Sequence, residues 1–110
     1  MRIAILDLGT NTFNIFIAEI FSDKTIKKLY KSKIAVKLGE GGINKNHIEE
    51  KPFKRGLRAL KQHKKTIEKF SVEKTIAFAT SAIRSASNGK HFIHVAKEKS
   101  LITCSDVMLS

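Results

Sequence analysis

Residues 6–20 read LDLGTNTFNIFIAEI, and the middle of that stretch decides how the chain folds. An apolar run that starts at Ile3 reaches Asp7 and Leu8, breaks into Gly9-Thr10-Asn11-Thr12, and resumes at Phe13. Two apolar runs joined by a few turn-forming residues are the pattern of a hairpin of buried strands. The composition of the turn also suits a phosphate. Gly9 permits close backbone approach, Thr10 and Thr12 bring hydroxyl donors, and Asn11 tolerates left-handed geometry. Asp7 would repel that phosphate unless a cation stood between them, which makes it a candidate Mg²⁺ ligand. An ordinary hairpin uses the same Gly, Asn and Thr. Asp7 tips the reading toward a site, because a carboxylate at the end of a buried strand needs a partner.

Outward from the turn, residues 3–8 and 13–20 read as strands, and residues 25–38 end in period-2 alternation. Ile34, Val36 and Leu38 fall on one side there, with Lys33, Ala35 and Lys37 on the other. Residues 3–8, 13–20 and 33–38 are expected to lie adjacent and antiparallel. After the glycines of GEGGINKN the period changes. Phe53, Leu57, Leu60, Ile67 and Phe70 share one helical stripe within residues 48–70. Asn46 and Glu49 have capping-box spacing, and Pro52 suits a first turn. Residues 75–79 read as a fourth strand, and TSAIRSASNG (residues 80–89) as a hydroxyl-rich loop carrying Thr80, Ser81 and Arg84. A second helix is expected over residues 89–99, and a short strand within 101–109. The order β-β-β-α-β-α-β predicts an α/β fold with a ribonuclease-H-like mixed sheet, in a single domain over residues 1–110.

Composition narrows the partners. The chain of 110 residues carries a net charge of +11, of which +2 lies in residues 1–50 and +9 in residues 51–110. That field favours polyanions. No apolar run approaches the roughly 18–20 residues needed to cross a bilayer, so no membrane partner is expected. The single Cys104 has no internal partner, which fits a reducing, cytoplasmic setting. His47, His63, His91 and His94 lack metal-site spacing with Cys104 and read as surface or helix residues. The basic segment KPFKRGLRALKQHKKTIEK carries eight Lys/Arg against one Glu. It reads either as a solvated helix face or as a polyanion track.

Three segments in order, LDLGTNTFNIFIAEI, VKLGEGG and FATSAIRSASNG, resemble the N-terminal part of the exopolyphosphatase / guanosine pentaphosphate phosphohydrolase (Ppx/GppA) family, over residues 1 to about 100. Asp-x-Gly-Thr alone would point only to the actin-like, sugar-kinase-like superfamily; Ala-Thr-Ser-Ala-x-Arg points to this family and away from a sugar kinase. The resemblance implies a cleft between two lobes that binds polyphosphate or pppGpp with Mg²⁺. It puts the first phosphate loop at Gly9, Thr10, Asn11 and Thr12, with Asp7 near the metal. Thr80, Ser81 and Arg84 would face the cleft, and Lys37 stands where the family usually has arginine. Asn14 takes a place often held by histidine or arginine. For full-length members the family implies a homodimer.

The end of the chain departs from that pattern. The family continues into an Ile-Ser-Gly-like turn and a Glu-Glu-Ala segment whose glutamate is the general base, whereas this chain reads LITCSDVMLS. Glu98 precedes the last strand and Asp106 lacks the context, so no catalytic residue is assigned. The second loop, Asp-x-Gly-Gly-Gly-Ser, has no match either. The expectation is a truncated N-terminal domain of a phosphoanhydride hydrolase, inactive alone. The alternative is a noncatalytic basic module for polyanions or nucleic acid, with salt-sensitive affinity. No aromatics interleave with the basic residues to stack bases, which counts against nucleic acid.

Overall fold

The computed structural model describes residues 1–41, 46–79, 81–102 and 107–109, with backbone only for Ser81 and residues 107–109. Its elements are β1 (Arg2–Leu8), β2 (Thr12–Ile20), β3 (Ile26–Ala35), α1 (Glu50–Lys69), β4 (Lys74–Ala79), α2 (Ser81–Ser85), α3 (Gly89–Glu98) and β5 (Val107–Leu109). The described strands form one sheet in the order β3-β2-β1-β4-β5. β1, β2 and β3 make the expected antiparallel meander, while β4 returns through α1 to lie parallel to β1. The α/β mixed sheet is the one the sequence pattern predicts. No helix among the described residues is long and apolar enough to cross a membrane.

One face of the sheet carries the core. Ala4, Leu6 and Leu8 of β1 lie in register with Ile17, Ile15 and Phe13 of β2, all buried. The helices pack on this face through Leu60, Ala59, Ile83, Phe92 and Ala96. Phe92 is fully buried and sits edge-on to both Phe13 (6.1 Å, 68°) and Phe53 (5.1 Å, 80°). Such pairs contribute about 0.5–1.5 kcal/mol each beyond area burial. A glycine makes room for the ring: a Cβ on Gly56 of α1 would lie 2.9 Å from Phe92.

Several local expectations differ from what forms. β3 ends at Ala35, so residues 36–38 are not strand, although Val36 and Leu38 are buried as the alternation required. The capping box does not form. Glu49 is the N-cap of α1 and makes no side-chain cap bond, while Asn46 takes a left-handed φ of 51°. Residues 81–85 coil into α2 where a loop was expected. Asn88 makes no capping bond to α3; its side-chain oxygen accepts from Ile48 N and its amide donates to Ile48 O, both at 2.9 Å. Cys104, Asp106 and residues 42–45 lie outside the described residues.

His63 is not a surface residue. It is 2% exposed on the core side of α1, and its Nε2–H donates to the Phe13 carbonyl at 2.8 Å. Burial pushes its pKa down, and the bond to Phe13 only partly opposes this. The unfolded chain takes up a proton at His63 below about pH 6.5 while the folded chain resists it. His63 therefore contributes stability above that pH and loses it as pH falls further. Urea unfolding from pH 8 to pH 5 is expected to show this decline, and His63→Gln, which keeps a donor, to flatten it. Gly89 gives a second test, because a Cβ there would sit 1.7 Å from the Ile83 carbonyl oxygen. Gly89→Ala should cost about 3 kcal/mol or more, as backbone must shift. Gly39→Ala, whose Cβ would meet nothing nearer than 3.7 Å, should fold normally by the same assay.

Candidate functional site

The site is built at the sheet end where β1 and β4 finish side by side. Leu8 and Ala79 are partners in that parallel pair, so the turn after β1 and the segment after β4 leave the sheet at the same end. Ligands of α/β sheets bind outside the carboxyl ends of parallel strands.

The turn is held closed, and the carbonyls of Thr10, Asn11 and Thr12 are occupied. Gly9 N–H donates to Thr12 O at 3.1 Å. The segment after β3 crosses beneath the turn, Val36 N–H and Lys37 N–H both donating to Asn11 O (2.8 and 3.1 Å) and Leu38 N–H to Thr10 O (2.8 Å). Nothing among the described residues accepts from the Asn11 N–H. The turn therefore presents acceptors to its own chain and leaves a donor for something else.

Lys37 is brought to the turn by this crossing. Its φ is 46°, a left-handed conformation that costs a non-glycine residue about 1–2 kcal/mol. Two features impose that conformation. Val36 and Leu38 on either side are buried in the core. Arg55 of α1 also staples the segment, its Nε donating to Val36 O at 2.7 Å and its Nη2 to Glu40 Oε1 at 3.1 Å. Lys37 then lines an open cleft of about 490 Å³ with Thr10, Asn11, Thr12, Gly39 and Glu40.

Not every expected residue joins this cleft. Asp7 is exposed, so the argument that burial demands a partner for it does not hold. It lies on the sheet face opposite the helices, opposite Asn14 in the antiparallel pair. Asn14 Oδ1 is buried and has no hydrogen-bond partner among the described residues. A carboxylate and an unengaged amide oxygen, neighbours on one face, are the oxygen donors Mg²⁺ takes, and Mg²⁺ completes its shell with water and phosphate oxygens. Among the described residues no group of three or more His, Cys, Asp or Glu forms a fuller metal site. Arg84 is exposed in the last turn of α2, Ser81 opens that helix, and Thr80 lies outside the described residues.

Sequence reasoning missed Arg55 and Glu40, and it named Asn14 without giving it a role. Arg55 hides in a basic run, and its only signal is its place beside the buried Gly56, on the flank of the apolar stripe.

A model of the Ppx/GppA phosphatase family matches residues 16–103. A bifunctional 3-dehydroquinate synthase/phosphatase of Fusobacterium nucleatum is 43% identical over 97 residues, which are 82% of this chain and 14% of that protein. A guanosine-5'-triphosphate,3'-diphosphate pyrophosphatase of Photobacterium profundum is 28% identical over 95 residues, 86% of this chain and 19% of that protein. The crystal structure of an exopolyphosphatase from Cytophaga hutchinsonii superposes with a TM-score of 0.90 at 38% identity, covering 99% of this chain and 34% of that one. The chain thus spans 14% to 34% of the length of these relatives.

Lys37 offers a test that separates backbone strain from charge. Lys37→Gly relieves the left-handed φ and removes the ammonium. Its urea midpoint is expected to hold or to rise by up to about 1 kcal/mol in stability. Pyrophosphate affinity, read by calorimetry, should fall several-fold. Parallel losses of stability and affinity would show that the residue is structural only.

Proposed function

The chain belongs to the Ppx/GppA phosphatase family, and on that premise we propose that residues 1–110 carry the phosphate-holding part of a phosphoanhydride hydrolase site. One observation carries the reading. The Thr10 and Asn11 carbonyls are taken up by residues 36–38, while the Asn11 N–H, two threonines and Lys37 border one cleft in which the Glu40 carboxylate is already paired with Arg55. Such a site attracts an anion and offers little to a cation.

Polyphosphate and guanosine pentaphosphate share the bond in question. The names of the relatives, a pyrophosphatase and an exopolyphosphatase, support a phosphoanhydride as substrate. Gly9, Thr10, Asn11 and Thr12 would hold the phosphate, with Lys37 balancing its charge. Arg84, with Ser81 and Thr80, would approach from the adjacent strand end. Asp7, with Asn14 beside it, would hold Mg²⁺, which when bound supplies Lewis-acid polarisation of a phosphoryl oxygen. Preorganised donors of this kind stabilise charge that develops on the phosphoryl group. No residue of the chain matches the family's general base, so the chain alone is proposed to bind and not to turn over. For the longer family members a homodimer belongs to the same reading, as does a cytoplasmic setting.

The basic helix supports a second reading. Lys51, Lys54, Arg58, Lys61, Lys65 and Lys69 recur every three or four residues on the side of α1 opposite its buried stripe, and all are exposed. Among the described residues only Lys54 of these six has an ion-pair partner, Glu50 at 2.9 Å. A noncatalytic module for polyanions or nucleic acid would use this stripe and ignore the turn.

Polyphosphate binding in Mg²⁺ separates the two. The phosphate reading expects Asp7→Ala to weaken polyphosphate binding several-fold while leaving DNA of equal charge unaffected across a salt series. Phosphate release should stay at background, because a general base typically contributes about 10²–10⁴-fold. Turnover abolished by Asp7→Ala would mean that the chain contains its own base. Equal affinity for DNA and polyphosphate, indifferent to Asp7→Ala, would favour the basic module.

A further inference from the structure

The cleft at the turn continues along the sheet. Thr12 and Ala35, which line it, are partners in the β2–β3 pair; two residues further along the strands, Asn14 and Lys33 are partners in turn. Alternate residues of a strand share a face, and Phe13 and Ile15 of β2 are buried in the core, so these four lie together on the opposite side. Asn14, Lys31, Ser32 and Lys33 line a second cavity of about 390 Å³ there. The two cavities lie end to end along β2 and β3.

One wall of this path is a row of cations. Lys31, Lys33 and Lys37 are all exposed, and none has an ion-pair partner among the described residues. Ala35 stands between Lys33 and Lys37, opposite Thr12, and leaves the row a gap in which a narrow ligand can lie. From Ala35 to Lys31 the path is roughly 13 Å long. Asn14 separates the row from Asp7, which lies two strands away from Lys33, or about 10 Å. Lysines on an edge strand such as β3 also guard against pairing with another chain. Lys27 and Lys28, exposed on the same strand, serve that end, but they line neither cavity.

We infer that Lys31 and Lys33, over the floor made by Thr12 and Asn14, form a second anion subsite that holds the further phosphates of a linear condensed phosphate whose end sits at the turn. The inference rests on the phosphate reading of the turn and adds chain length to it: pyrophosphate fills the first cavity only, and a longer chain reaches both. A bare phosphate chain suits the path because it carries a charge on every unit and no bulky substituent. Nucleic acid suits it less, since no aromatic side chain among the described residues lines either cavity to stack a base. The second contact is intramolecular once the first is made, so two modest sites add up to a marked preference for the longer chain.

Calorimetry of pyrophosphate and of linear polyphosphate on the full chain, at fixed salt and Mg²⁺, tests it with two variants of equal charge. One is Lys31→Gln with Lys33→Gln; the other is Lys27→Gln with Lys28→Gln, on the same strand outside the path, and circular dichroism checks the fold of both. Polyphosphate should bind the unaltered chain about tenfold more tightly than pyrophosphate does. The Lys31/Lys33 variant should lose that gain and keep its pyrophosphate affinity within about twofold, whereas the Lys27/Lys28 variant should keep most of the gain. An equal loss in both variants would show that only net charge matters and would overturn the subsite, as would a gain that survives in both. Pyrophosphate weakened as much as polyphosphate by the Lys31/Lys33 change would merge these lysines with the turn and equally overturn it. Single-stranded DNA of equal charge losing affinity in that variant to the same extent as polyphosphate would assign the row to nucleic acid instead. Pyrophosphate binding indifferent to Lys37→Gly would defeat the phosphate reading itself, and the second subsite with it.

Discussion

Phe13 is held at both its ends, and the site depends on that. Its ring is buried edge-on against Phe92, which in turn fits over Gly56 and against Phe53. Its carbonyl accepts from the buried His63. One residue of β2 thus ties the sheet to both α1 and α3, and it directly follows Thr12, the last residue of the turn. A turn of four residues cannot hold donors in place unless its strands are fixed, since local backbone freedom of about 1–2 kcal/mol per residue would otherwise oppose order. The core here acts as the anchor of the cleft.

The strap of residues 36–40 shows how α1 contributes without lining the cleft. Val36 and Leu38 insert into the core while Lys37 between them faces out, which continues the alternation of β3 after its ladder has ended. The hydrogen bonds that a further strand partner would have taken go instead to the carbonyls of Thr10 and Asn11, which satisfies the N–H groups of Val36, Lys37 and Leu38. Arg55 then fixes the strap from the helix side, and its bond to Glu40 keeps a carboxylate at the rim of the cleft engaged with a cation. Without that pairing Glu40 would oppose any anion at Lys37.

Much of this was legible in the sequence because strand and helix periods are local. The hairpin at Gly9–Thr12, the switch to helical spacing before Phe53 and the buried alternation through Leu38 all follow from which residues must share a face. What was not legible depends on tertiary neighbours. His63 lies on the apolar stripe but reads as polar, and only the nearby Phe13 carbonyl explains its burial. Asp7 sits in an apolar run, yet the face it occupies is left uncovered, so its carboxylate meets solvent. Asn46 and Glu49 have the spacing of a capping box, but a left-handed Asn46 takes the chain out of the geometry that box needs. Residues 81–85 are rich in hydroxyls and still coil, because Ile83 is drawn into the core beneath Gly89. The cleft's own residues at Thr10, Asn11, Thr12 and Lys37 were marked by composition. The residues that position them were not, since Arg55 looks like any other member of a basic run.

The two faces of the sheet differ in a way that bears on the metal site proposed at Asp7. On the core face the buried His63 finds its partner in the Phe13 carbonyl. On the other face Asn14 Oδ1 is buried without a partner and Asp7 stands beside it, both close to the turn. A buried acceptor left unsatisfied costs about 1–3 kcal/mol, a large share of a small domain's stability. That cost falls where Asp7 and the turn could jointly meet a hydrated cation and a phosphate. It is also the corner of the sheet face that Lys33 and Phe78 border. A group that satisfied Asn14 there would also change the solvent around Asp7, and with it the strength of the charges at the turn.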